Sequence, residues 1–212
     1  MPDLVVLHYT AMADALGAAD WLCNPESEVS AHYLIARDGE VMSLVPEALR
    51  AWHAGAGAWG QVGDVNSRSI GIEIDNPGNS PFDEMQMVAL ETLLDGIFRR
   101  WRIRPERVIG HSDMAPGRKI DPGPFFDWKR LARAGFSVWP RMPETVMQPD
   151  VGRFRALAAA FGYTSDVTDD VLLSAVRLRF RPGHTGPLDA TDMAILDDLA
   201  DRYPVDVNAT WV

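Results

Sequence analysis

Apolar residues recur with two different periods along this chain, and the changes of period mark out its elements. "LVVLHY" (4–9) is a short apolar run with a strand's composition, and "MADALGAADWLC" (12–23) has a helix's. "HYLIARDGEVMSLV" (32–45) places two strand-like segments on either side of Asp38-Gly39, a hairpin signal. "SIGIEID" (69–75) alternates: Ile70, Ile72 and Ile74 share one face, and Gly71, Glu73 and Asp75 share the other. In "SPFDEMQMVALETLLDGIFRRW" (80–101), Ser80 is placed to cap a helix and Pro81 to occupy its first position. Met87, Leu90, Leu94, Ile97, Phe98 and Trp101 then return at helical spacing. "RVIG" (107–110) predicts a strand opening into a loop, and "FFDWKRLARAG" (125–135) a helix ending at Gly135. Interleaved strands and helices with one hairpin predict an α/β fold, a mixed central β-sheet flanked by helices, over residues 1–136.

Periodicity stops in "SVWPRMPETVMQPD", where three prolines fall within fourteen residues, so residues 137–149 read as a linker. Beyond it, "VGRFRALAAAFG", "TDDVLLSAVRLRFRP" and "TDMAILDDLADRYP" predict a small C-terminal three-helix domain over 150–212. Thr168 is placed to cap the second helix, with Asp169 and Asp170 favourable in its first turn.

Composition narrows the class. Of the 212 residues 47% are hydrophobic, enough for a packed core. The net charge of −10, from 20 basic and 30 acidic residues, argues against a nucleic-acid partner. Cys23 is the only cysteine, which excludes an intrachain disulfide and a thiolate zinc cluster, so a metal would have to use His, Asp or Glu. The N-terminus has no basic region, and its apolar run is broken at His8; it reads as neither a signal peptide nor a membrane span. No transmembrane segment is expected anywhere. The chain as written reads as cytoplasmic, with a periplasmic location as the alternative if an export signal has been removed. The oligomeric state is left open.

The candidate chemistry gathers around "HSDMAPGRKIDPG" (111–123), a loop rich in turn formers that also carries His111, Lys119 and Asp121. His8 ends the first strand and His111 follows a later one. If those strands are neighbours, both imidazoles can meet the Asp121 carboxylate as the loop returns. Two neutral imidazoles and a carboxylate suit Zn²⁺ with a fourth position open. Each piece also has a plainer reading, since a histidine at a strand end is often structural and an aspartate before proline is often a turn residue. Glu73 interrupts an apolar strand. Either its face is solvent-exposed, or Gly71 and Glu73 line a cleft floor where the carboxylate can take a proton from an attacking water. Lys119 is either an ordinary surface lysine or an ammonium placed to stabilise an oxyanion. His53 lies in "AWHAGAGAWG", between Trp52 and Trp59. That loop is either a sugar- or peptide-binding lip or a segment tucked onto the core. His32 reads as structural and His184 as a surface loop residue.

Taken together and in order, "VVLHYTA", "SAHYLIARDGEV", "AWHAGAGAW", "SIGIEIDNPG" and "VIGHSDMAPGRKIDPG" resemble the zinc-dependent N-acetylmuramoyl-L-alanine amidases. That superfamily includes amidase-type phage lysozymes and peptidoglycan recognition proteins. The resemblance covers residues 4–128. It implies His8, His111 and Asp121 as zinc ligands, Glu73 and Lys119 as catalytic residues, and His53 as a histidine near the substrate. The implied activity is hydrolysis of the amide between N-acetylmuramic acid and L-alanine, in peptidoglycan or in muropeptides. Two rivals are a recognition module without catalysis and a zinc peptidase cutting within the stem peptide. Residues 162–196 more loosely resemble a three-helix peptidoglycan-binding domain.

Overall fold

The computed structural model describes residues 1–141 and 147–206. Part of the expected linker, 142–146, and the end of the tail, 207–212, lie outside the described residues. Strands β1 (Leu4–Tyr9), β2 (Tyr33–Ile35), β3 (Val41–Ser43), β4 (Ser69–Ile74) and β5 (Val108–Gly110) form one sheet in the order β3-β2-β4-β1-β5. β1 runs parallel to both β4 and β5, β2 is parallel to β4, and β3 closes the edge antiparallel to β2. The sheet is therefore mixed, as the interleaved pattern predicts.

A central parallel strand is covered on both faces, which is why β1 reads as an unbroken apolar run and not as an alternation. Helix α2 (Glu84–Trp101) covers one face, packing Met87, Leu90, Leu94 and Ile97 against Val5, Leu7 and the three isoleucines of β4. Helix α1 (Ala15–Cys23) packs Ala15 and Ala18 against Leu34 and Ala36 beside the hairpin. Past β5 come two short helices, α3 (His111–Met114) and α4 (Trp128–Arg133). The tail forms α5 (Val151–Phe161), α6 (Asp169–Phe180) and α7 (Ala190–Arg202). Among the described residues, no helix is long and apolar enough to cross a membrane.

Several boundaries differ from expectation. The long helix begins at Glu84 after Asp83, not at Pro81 after Ser80. The Asn76 side chain donates to the carbonyls of Ser80 and Pro81 and holds them as loop, while Phe82 packs onto the core. Asp83 starts the helix instead, its N–H bonded to the Gln86 side chain. Residues 125–127 likewise stay outside α4, whose first turn is capped by the Asp127 carboxylate accepting from the Arg130 N–H. α1 starts at Ala15, capped by Asp14.

The tail helices share a core with the sheet. Leu4, Val6, Ile109 and Met114 pack in one apolar cluster with Phe154, Phe161, Val176, Phe180 and Leu196. Trp59 stands edge-on to Phe161 and Tyr163, with ring centroids 5.5 and 5.0 Å away. Gly162 is held at φ 147°, and a side chain there would begin 2.3 Å from the Trp59 ring. A buried polar knot fastens the same contact. The Asp113 carboxylate accepts from the Gly110 N–H (2.7 Å), the Tyr163 hydroxyl (2.6 Å) and the Arg179 guanidinium (2.6 Å). Arg179 also donates to the Val108 carbonyl and the Ser137 hydroxyl, and it lies 4.1 Å over the Trp128 ring.

Removing one member of a buried ion pair leaves the other charge uncompensated, at a cost of about 3–5 kcal/mol. Arg179→Met is therefore expected to lower the unfolding free energy of the full chain by about that amount. Urea denaturation followed by circular dichroism measures it. A change below about 1 kcal/mol would mean that Asp113 finds solvent once Arg179 is gone.

Candidate active site

The strand register assembles the site. His8 of β1 lies directly opposite Glu73 of β4, and Leu7 lies opposite Gly110, the residue before His111. His8, Glu73 and His111 thus line up at the carboxyl ends of three adjacent parallel strands, the edge at which α/β sheets place their ligands. The loop after α3 then turns back. The Ser112 N–H donates to the Asp121 carbonyl at 2.9 Å, returning that carboxylate to the two imidazoles.

The convergence is tight. His8 Nδ1 lies 3.0 Å from His111 Nδ1 and 2.8 Å from Asp121 Oδ2, and His111 Nδ1 lies 3.0 Å from the same oxygen. All three residues are buried. The far nitrogens are occupied: His111 Nε2 donates to the Ala54 carbonyl at 2.8 Å, and His8 Nε2 meets His53 Nδ1 at 3.1 Å. Both Nδ1 atoms are thereby turned toward Asp121.

This group could hold a metal ion. Its donor set is two imidazole nitrogens and one carboxylate oxygen. Tetrahedral zinc with bonds of about 2.0–2.1 Å would space its ligands by about 3.3 Å, so the residues fit it with a few tenths of an ångström of expansion.

Charge is unevenly satisfied around these donors. Burial, reinforced by His111, lowers the pKa of His8 to about 4, against the partial opposition of Asp121. Burial, together with His8, His32 and His111, pushes His53 well below the usual histidine range. Burial works against the ionised form of Asp121, but hydrogen bonds from His111 and His8 hold its carboxyl below the usual carboxylate range. Glu73 is the opposite case. Burial and the nearby Asp121 charge push its pKa well up, with Lys119 acting weakly the other way. Its Oε2 is buried with no hydrogen-bond partner among the described residues. Such burial favours the protonated form of the carboxyl over the ionised one.

These groups line a cleft of about 540 Å³, with Trp21, Trp52 and Ile120 exposed at its edge. Lys119 is exposed and lines the same cleft. The face of β4 that carries Glu73 is not a solvent face, because the 51–54 segment covers it and the His53 ring sits on Gly71. His53 lines the cleft with only 8% of its surface exposed; of its two flanking tryptophans only Trp52 is exposed, and Trp59 lies in the core. His32 is structural as expected: its Nδ1 accepts from the Gly71 N–H and its Nε2 donates to the Leu49 carbonyl. His184 is exposed in the tail, against Asp189. Arg118 was not singled out from sequence. It lines the cleft and donates to the Ala54 and Ala56 carbonyls, and its position beside Lys119 was the available signal.

The family model for N-acetylmuramoyl-L-alanine amidase matches residues 1–124, a span that holds every residue lining the cleft. The chain belongs to this amidase family. Escherichia coli AmiD, an N-acetylmuramoyl-L-alanine amidase, is 35% identical over 238 residues, covering 96% of this chain and 84% of AmiD. Enterobacter cloacae AmpD, a 1,6-anhydro-N-acetylmuramyl-L-alanine amidase, is 42% identical over 103 residues, 49% of this chain and 55% of AmpD. Among solved structures, E. coli AmiD in complex with the substrate anhydro-N-acetylmuramic acid-L-Ala-D-γ-Glu-L-Lys aligns with a TM-score of 0.86 at 34% identity, covering 95% of this chain and 90% of that one. Pseudomonas aeruginosa AmpDh3 in complex with anhydromuramic pentapeptide aligns with a TM-score of 0.86 at 32% identity, covering 96% and 92%. Both alignments span the tail helices as well as the sheet.

The buried histidines give the metal-free protein a defined acid response. His8, His32 and His53 all titrate below the value of 6.5 that an unfolded chain shows. As pH falls through 6.5 the unfolded state takes up protons that the fold refuses, so stability is lost until His8 itself protonates at about 4. Glu73 has the opposite sign, since its raised pKa favours the fold below 4.5 and that benefit disappears as pH rises. In the metal-free Glu73→Gln chain, where the opposing glutamate contribution is absent, the melting temperature is expected to fall as pH drops from 6.5 toward 4. A flat profile in a chelator-treated thermal melt would contradict the burial of these rings.

Proposed function

We propose that this chain is a zinc amidase that hydrolyses the amide joining the lactyl group of N-acetylmuramic acid to L-alanine, with muropeptides as its substrate class. The carrying observation is the convergence of His8, His111 and Asp121 within 3.0 Å of one another, in the same cleft as the unpartnered Glu73 carboxyl. Membership of the amidase family and likeness to AmiD, which has an anhydromuramyl peptide as substrate, support the choice of bond.

His8, His111 and Asp121 would hold the zinc, which supplies Lewis-acid polarisation of the scissile carbonyl and a water of lowered pKa. Glu73 takes the proton from the attacking water. With its pKa raised by burial it keeps that proton long enough to return it to the departing alanine nitrogen, which leaves as a neutral amine. The Lys119 ammonium, at the cleft edge, stabilises the negative oxygen of the tetrahedral intermediate. The exposed rings of Trp21 and Trp52 give sugar or peptide an apolar surface to lie on. The three tail helices would bind wall polymer while remaining docked on the catalytic sheet.

His8→Ala is expected to lose zinc and activity together. Glu73→Gln should keep fold and zinc while turnover falls by about 10²–10⁴. Mass analysis of the products from a defined muropeptide should show a stem peptide with free N-terminal L-alanine. Cleavage inside the stem peptide would support the peptidase rival, and zinc binding without turnover would support the recognition module. For the tail, the full-length Glu73→Gln chain should co-sediment with insoluble sacculi even when soluble anhydromuramyl peptide fills the cleft. Complete competition by that peptide would remove the wall-binding role.

A further inference from the structure

We propose that His53 is a positioning residue for His8, and that the Ser69 hydroxyl, two hydrogen bonds away from the metal site, selects the His8 tautomer that can bind zinc. The proposal rests on the zinc reading above.

The argument starts at a carbonyl. The Val65 carbonyl can only accept, and the Ser69 hydroxyl lies 2.6 Å from it, so the single hydroxyl hydrogen points there. Toward His53 Nε2, at 3.1 Å, Ser69 Oγ can then only accept, which places a hydrogen on that nitrogen. A neutral imidazole carries one N–H, so His53 Nδ1 is left as a bare lone pair. It faces His8 Nε2 at 3.1 Å and must accept from it. His8 therefore carries its hydrogen on Nε2, and its Nδ1 lone pair points at His111 Nδ1 and Asp121 Oδ2.

This bias has something to overcome. In the metal-free protein, Asp121 Oδ2 sits 2.8 Å from His8 Nδ1 and favours a hydrogen on that atom, the tautomer that cannot ligate. The chain from Val65 through Ser69 and His53 pulls the other way before metal arrives.

The position of His53 is built for this role. Asn66 Oδ1 accepts from the backbone N–H groups of His53 and Ala54, at 3.0 and 2.8 Å. The ring rests on Gly71, where a side chain would begin 2.3 Å from His53 Cγ. The next residue does the same for the second ligand, since the Ala54 carbonyl takes the His111 Nε2 hydrogen at 2.8 Å. Two consecutive residues, anchored by one asparagine, orient both imidazoles. Both ring nitrogens of His53 are already engaged, so neither is free for substrate.

The test compares full-length wild type with Ser69→Ala, Ser69→Thr, His53→Gln and His53→Asn. Asparagine can place its carbonyl oxygen where Nδ1 stood and still accept from His8, whereas glutamine reaches toward Ser69 and loses that contact. Zinc affinity is measured by chelator competition, the His8 tautomer by ¹⁵N NMR of the imidazole, and folding of the metal-free chains by circular dichroism. Loss of an outer partner of a metal-bound histidine typically costs about 10–100-fold in metal affinity. Ser69→Ala and His53→Gln are expected to show that loss, with His8 shifted toward the Nδ1–H form. Ser69→Thr and His53→Asn should bind zinc close to the wild-type level, and KM at saturating zinc should stay at its wild-type value in every folded variant. Ser69→Ala removes only a hydroxyl and carries the test if His53→Gln does not fold. Undiminished zinc affinity in Ser69→Ala, or a raised KM with unchanged zinc affinity in a His53 variant, overturns the proposal. Failure of the wild-type chain to bind zinc would instead overturn the zinc reading on which it rests.

Discussion

The hydrogen-bond ladder between β1 and its two parallel neighbours decides where every reactive side chain can be. Side chains alternate across a strand, so a register in which His8 faces Glu73 puts both on the same side of the sheet. A slip of one residue on β1 would send His8 into the α2 face and bring Leu7 into the cleft. The same ladder stops β5 at Gly110, one residue before the chain turns into α3, so His111 leaves the sheet level with His8. Apolar packing enforces this register from both sides. Val5 and Leu7 are required by α2, and Leu4 and Val6 by the cluster that includes the tail helices.

Around that frame the polar groups divide into two kinds. Most buried ones are bonded to exhaustion: Asp113 has three partners, His32 and His53 use both ring nitrogens, and Asn66 spends its oxygen on two N–H groups. Glu73 Oε2, Trp59 Nε1 and Arg179 Nε are buried without a partner among the described residues, and of the three only Glu73 lines the cleft. Leaving such a group unsatisfied has a cost, and in a well-packed protein that cost marks a place where substrate or water completes the bonding. The hydrogen bonds hold the buried imidazoles in place, while the Glu73 carboxyl beside them in the cleft keeps an oxygen free.

The tail is bound into the same logic. Asp113 caps the end of β5 two residues from His111, and two of its partners, Tyr163 and Arg179, come from beyond the linker. The loop after β5 and the tail helices therefore stabilise one another. The alignment with AmiD over 95% of this chain shows the same arrangement of sheet and tail in a relative.

Much of this was legible in the residues themselves. Alternation in "SIGIEID" separated the isoleucine face from the Glu73 face, and helical spacing from Met87 to Trp101 predicted α2, because burial on one side of an element leaves a period in the sequence. Two histidines at strand ends and an aspartate on a returning loop could be singled out as a candidate metal group, and the fold brings the three together. Other features were decided only in three dimensions. Whether the β4 polar face met water or a cleft depended on a loop packed over Gly71, which no local period records. The placement of the His53 ring depended on Ser69 and His8, 16 and 45 residues away. The start of α2 moved three residues because the Asn76 side chain competes for the Ser80 and Pro81 carbonyls. Sequence alone determined which residue types face inward along each element, since that follows from local periodicity and chemistry. Tertiary structure alone decided which partners each buried imidazole nitrogen meets, because those partners are distant in sequence and only the folded chain brings them together.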